Sequence, residues 1–225
     1  MWASYLESTI VRSASDVERA GRSNFQFAGK VRAVLQNHPI QDWEADRWAR
    51  GLRTGLLKMN GHFFRAGSGK VAALSLFIRN EQGLNVGLRR EAITQAATYV
   101  TLVTDYGYSR DRTRFESGWM DVAVYDDRKQ ALIYAETKAA ENVLKKLCLR
   151  LESEFADEVP FVGEEDLSTL RDDAIMKAHH IWRHRPRYFW AVCPTRRQCY
   201  EVFYRRAGFR LTPVENIPSA EPYAA

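Results

Sequence analysis

Two short runs rich in β-branched and aromatic residues, joined by a polar link, constrain this chain more than anything else in it. Residues 119–125 (WMDVAVY) and 131–138 (ALIYAETK) have the composition of strands. Asp126, Asp127, Arg128 and Lys129 form the polar link between them. Side chains alternate along a strand, so Glu136 and Lys138 point to one face. An even-numbered loop puts Asp121 on that face too. It falls opposite Glu136 if Arg128-Lys129 is a two-residue turn, and opposite Tyr134 if all four residues form the loop. An odd loop turns Asp121 to the other face.

The flanking segments fit a mixed sheet covered by helices. Residues 88–103 are rich in helix formers, among them Glu91, Ala92, Gln95 and Ala96. A weaker strand is expected near 104–108. Helices are expected over 139–155 and 167–183, a strand over 188–193 (YFWAVC), and a partner strand over 198–205. The order helix, three strands, two helices, strand reads as an α/β sandwich with a mixed sheet. Residues 1–60 read as helices: Phe25, Val31, Val34 and Leu35, then Trp43, Trp48, Leu52 and Leu56, recur at roughly helical spacing, with Pro39 and Gly61 as breakers. Val71–Ile78 reads as a strand after a turn at Gly67-Ser68-Gly69-Lys70. That turn lacks the spacing of a phosphate loop and precedes a strand instead of following one, so no ATP dependence is expected. The organisation expected is a mainly helical region over 1–85, a core over 86–212 and a tail over 213–225.

Composition narrows the setting. The 225 residues, 45% hydrophobic, can bury a real core. The three cysteines make neither a disulfide framework nor a zinc site, and reduced thiols are expected. No apolar run is long enough to span a bilayer, and a cytoplasmic, non-membrane protein is expected. The net charge of +5 mildly favours a polyanionic partner. Acidic residues crowd 141–173. Residues 174–210 are basic, with Glu201 their only acid, and hold three of the five histidines.

Two carboxylates and a lysine on one strand pair make chemical sense together. Hard oxygen ligands suit Mg²⁺ or Mn²⁺. The cation polarises a phosphoryl oxygen and lowers the pKa of a bound water, and Lys138 orients that water or stabilises charge developing on phosphorus. Trp119-Met120-Asp121, the hairpin, and Glu136-Thr137-Lys138 resemble the PD-(D/E)xK, or restriction-endonuclease-like, nuclease superfamily over about residues 88–195. The resemblance implies a four-stranded mixed sheet flanked by helices, with Asp121 and Glu136 as catalytic metal ligands and Lys138 as catalytic lysine. Met120 stands where the motif has proline. Many members add a glutamate from the helix before the sheet, and Glu91 matches that position. Glu91 reads equally as a third metal ligand or as a first-turn glutamate favoured by the helix dipole. Glu116 is a rival ligand, or an exposed charge at a strand edge.

Arg110, Arg112 and Arg114 lead into the Asp121 strand, and Lys177, His180, Arg183, Arg185 and Arg187 lie on the basic stretch. These are the candidate nucleic-acid contacts. Tyr188, Phe189 and Trp190 read as core strand. The resemblance implies a metal-dependent nuclease, with DNA the expected substrate. The implied settings are restriction, defence against phage and mobile elements, or recombination. Residues 1–85 would recognise DNA, bind a partner or form a homodimer. The contrasting expectation is a catalytically silent nucleic-acid-binding or assembly protein on the same fold.

Overall fold

The computed structural model describes residues 2–67, 73–117, 120–160, 163 and 172–220. Among them are six α-helices, a six-stranded mixed sheet and two smaller sheets. No helix among the described residues is long and apolar enough to cross a membrane. The chain divides into two compact units, Met1–Thr101 and Leu102–Ala225.

The first unit opens with α1 (Trp2–Arg19), whose buried residues Leu6, Ile10, Ala14 and Val17 recur every three or four positions. Helix α2 (Phe27–Asn37) buries Phe27, Val31 and Leu35 by the same rule. Helix α3 (Asp42–Arg53) starts with a capping box, in which the Glu44 side chain accepts from the Gln41 backbone N–H. Five short strands follow: β1 (Leu57–Asn60), β2 (Phe63–Ala66), β3 (Leu74–Ser75), β4 (Phe77–Arg79) and β5 (Asn85–Leu88). The expectation of a mainly helical region is therefore corrected to three helices with two small sheets. Gly61, read as a breaker, sits at φ +60 in the two-residue loop that turns β1 into β2. Strands of two to four residues are too short to show alternation. The single strand expected over Val71–Ile78 becomes β3 and β4 in separate sheets. Residues 68–72, with most of the glycine-lysine turn, lie outside the described residues. Helix α4 (Arg90–Thr104) begins in this unit and runs through the division at 101/102, whereas the boundary expected from sequence, 85/86, precedes it.

The second unit is built on the sheet β11-β10-β9-β8-β7-β6. Its strands are β6 (Thr113–Ser117), β7 (Met120–Tyr125), β8 (Ala131–Thr137), β9 (Tyr188–Cys193), β10 (Arg196–Tyr204) and β11 (Phe209–Val214). Neighbours are antiparallel except β8 and β9, which run parallel because the chain returns through α5 (Glu141–Ser153) and α6 (Asp173–His184). One sheet face carries Ala123, Tyr134, Phe189, Ala191, Tyr200 and Val202. These pack with Leu144, Leu147 and Leu151 of α5 and Ala174, Ala178 and Ile181 of α6. Asp172 caps α6, accepting from the Ala174 and Ile175 N–H groups.

Three expectations change here. The first strand lies at 113–117 and not at 104–108. Part of the expected helix over 167–183 lies outside the described residues, and α6 starts at Asp173. Strand β11 was not foreseen, and it brings Pro213 and Val214, expected in a tail, onto the sheet edge, where proline's missing N–H does no harm. Gly208, before β11, allows a close crossing: a Cβ there would meet the Phe155 carbonyl oxygen at 2.5 Å and that of Ala156 at 2.8 Å. Gly208→Ala is expected to lower stability by about 1–3 kcal/mol through overpacking, read by urea denaturation. An unchanged midpoint contradicts this.

Candidate metal centre

Strands β7 and β8 pair Val122 with Ala135, Ala123 with Tyr134 and Val124 with Ile133, a register that carries Asp121 across from Glu136. The route to that register differs from both even-loop expectations. The hairpin closes at Tyr125 and Ala131, leaving an odd loop, 126–130. Simple parity would then turn Asp121 away. A bulge between Val124 and Tyr125 shifts the register by one and restores the shared face. Asp126 shapes the loop by accepting from the Arg128 and Gln130 N–H groups, and Lys129 takes a left-handed φ of +62.

A carboxylate oxygen of Asp121 and one of Glu136 lie within 4.8 Å of each other. Asp121 is half-buried. Its Oδ2 accepts from both the backbone N–H and the hydroxyl of Thr137, each at 2.6 Å, which fixes its rotation. Glu136 is 1% exposed. Its Oε1 accepts from Lys138 Nζ at 2.7 Å. Lys177 Nζ lies 2.7 Å from Oε2, but outside the hydrogen-bonding directions, so charge rather than a directed bond holds that oxygen. Lys138 also contacts Asp173 Oδ2 at 2.9 Å.

Burial, reinforced by the nearby Asp121 carboxylate, pushes the Glu136 carboxyl up to about 7, against the opposing pull of Lys177 and Lys138. The folded chain therefore keeps a proton that the unfolded chain releases between about pH 4.5 and 7. Stability contributed by this group is full below that window and falls as pH rises through it, by about 3 kcal/mol. The lowered His180 acts in the opposite direction between about pH 4 and 6.5, so Glu136→Gln isolates the contribution. With divalent cations chelated, the native melting temperature is expected to fall more, or rise less, from pH 5 to pH 8 than that of the variant. An identical pH dependence in the two chains contradicts the assignment.

The remaining expected residues fall in several settings. Lys177, expected on a basic surface, is buried against Glu136. His180 is also buried, and its pKa is pushed down to about 4 by desolvation and then by His184, His179, Lys177 and Arg183. It is neutral near pH 7, so it is corrected from a phosphate-binding cation to a packed ring stacked on His184. Both corrections have one cause: α6 buries Lys177 and His180 alongside Ala174, Ala178 and Ile181. Arg110 is half-buried in the turn before β6. Arg112 pairs with Asp127, and Arg114 lies over the Tyr125 ring at 5.0 Å. Arg114 also pairs across from Ala123, two residues along β7 from Asp121. Arg183 and Arg185 are exposed and line a groove of about 350 Å³ with Lys129, His184, Tyr125 and Tyr134. Arg185 is held over Trp182 at 4.4 Å. Arg187 is exposed, near Glu201 and over Tyr188. Glu116 is exposed on β6. Glu91 lies in the first turn of α4, in the other unit.

Sequence reasoning missed Thr137 and Asp173 and misplaced Lys177. The helical spacing of Asp173 and Lys177 was readable, but not which sheet residues they would meet. No protein-family model, curated protein or solved structure matches the chain.

Proposed function

We propose that this chain is a Mg²⁺- or Mn²⁺-dependent nuclease acting on DNA, with a restriction-endonuclease-like core in its second unit. The observation that carries the proposal is the pairing across β7 and β8: two carboxylates within 4.8 Å, with a lysine 2.7 Å from one of them. Asp121 and Glu136 are the ligands that hold the ion. The donor set fits a hard divalent cation: oxygen ligands only, one of them a buried Glu136 oxygen without a directed hydrogen bond. When bound, the cation supplies Lewis-acid activation of a phosphodiester and of an attacking water. Lys138, steadied by Asp173, donates to the charge developing on the phosphoryl oxygens. Thr137 keeps Asp121 from rotating away.

The groove lined by Arg183 and Arg185, with Arg114 on the Asp121 face, supplies cations for the phosphate backbone, and tyrosine rings stand beside them. Restriction, defence against mobile DNA and recombination are the proposed settings, with the first unit as the recognition or dimerisation part.

One observation favours a second reading. Two ammonium groups already satisfy the charge of Glu136, which suits a catalytically silent nucleic-acid-binding protein. Incubation of circular and linear DNA, and of RNA, with Mg²⁺ or Mn²⁺ decides between them. Cleavage by the native chain that is lost in Lys138→Ala, with DNA binding retained, is the expected result. Binding without cleavage under every metal condition selects the silent reading.

A further inference from the structure

Glu136 is held by two lysines that arrive from different elements and act differently. Lys138 comes from its own strand and makes a directed hydrogen bond to Oε1. Lys177 comes from α6, with a side chain only 9% exposed, and sits 2.7 Å from Oε2 without bonding geometry. When both are ionised, Asp121 and Glu136 bring two negative charges against the ammonium groups of Lys138 and Lys177. A divalent cation added to this set meets a pair already neutralised, so one ammonium must yield. Lys138 is bound to its oxygen by a directed hydrogen bond. Lys177 holds the oxygen that lacks a directed donor.

We propose that Lys177 is an internal counter-ion, whose ammonium occupies the Glu136 oxygen that a divalent cation must take and is displaced when the cation enters. This rests on the metal-centre reading and gives that centre a regulator. Lys177 is a positioning residue: it holds the buried Glu136 side chain in place before the cation arrives, and it raises the concentration of cation needed. Asp173, one helical turn back and 42% exposed, offers the displaced ammonium a new acceptor on the same helix face.

The test is Mn²⁺ binding, followed by the electron paramagnetic resonance signal of free Mn²⁺, for the native full chain, Lys177→Met, Lys177→Arg and Asp121→Asn. Removing a like charge beside the ion should tighten binding at least about tenfold in Lys177→Met. Lys177→Arg, which keeps the charge, should bind no tighter than the native chain. A purely structural lysine would give weaker or equal binding in both. Because Lys177→Met leaves Glu136 without one counter-ion and puts folding at risk, a second measurement uses the native chain. Acetylation of Lys177, read by mass spectrometry, should quicken several-fold when Mn²⁺ is added, and should not quicken in Asp121→Asn. Binding lost in Asp121→Asn but not tightened in folded Lys177→Met overturns this inference alone. So does a Lys177 that stays protected with Mn²⁺ bound. No Mn²⁺ binding by the native chain overturns the metal centre as well.

Discussion

Asparagine at Asp121 is expected to abolish Mg²⁺-dependent DNA cleavage, by about 10³-fold or more, while the chain stays folded. The scale is that of losing one preorganised charge-stabilising group at a reacting centre. The choice of variant matters. Asp121 Oδ2 accepts two hydrogen bonds from Thr137, and an alanine would leave those donors unmet at a cost of about 1–3 kcal/mol. Asparagine keeps an acceptor for Thr137 and removes only the charge. That charge helps push Glu136 upward, so its loss should ease the buried glutamate and not unfold the protein. Cleavage assayed beside a denaturation curve separates the two effects. Cleavage within tenfold of the native rate would contradict the assignment of Asp121.

The second large effect lies in the first unit and concerns stability. Arg90 and Glu44 form an ion pair, 2% and 0% exposed, in which the guanidinium donates to both carboxylate oxygens. Arg90 also donates to the His38 and Pro39 carbonyls, and Thr94 donates to Glu44 at 2.6 Å. Every charge is met, which is the condition under which a buried pair is tolerated. Arg90→Met leaves the Glu44 carboxylate buried and uncompensated. It is expected to cost about 3–5 kcal/mol, measured by chemical denaturation. A loss below about 1 kcal/mol would mean that water reaches Glu44 and that the pair is not structural.

Strands β7 and β8 were readable in the sequence because both are short runs rich in β-branched and aromatic residues, joined by a polar link. The shared face of Glu136 and Lys138 followed from strand periodicity alone. The facing of Asp121 did not follow as simply. It depends on an odd loop and a compensating bulge, and Lys129 takes the left-handed conformation there without the glycine that would have announced it. Strand β6 was misplaced because Thr113–Ser117 alternates charged and apolar side chains too briefly to stand out from the arginine-rich segment before it. The small sheets of the first unit were invisible for a related reason: their strands are too short to show a period. Lys177, Thr137 and Asp173 entered the site by tertiary packing. Which sheet row α6 lies over is set by the Leu144, Leu147, Ala178 and Ile181 contacts, and no local pattern encodes that choice.

Anomalous diffraction from crystals soaked in Mn²⁺ would test the centre most directly. The account predicts a peak roughly 2.1 Å from a carboxylate oxygen of Asp121 and one of Glu136, with Lys177 Nζ moved off Glu136. A map with the two side chains still bound only to Thr137 and the lysines, and with manganese elsewhere or nowhere, would contradict it.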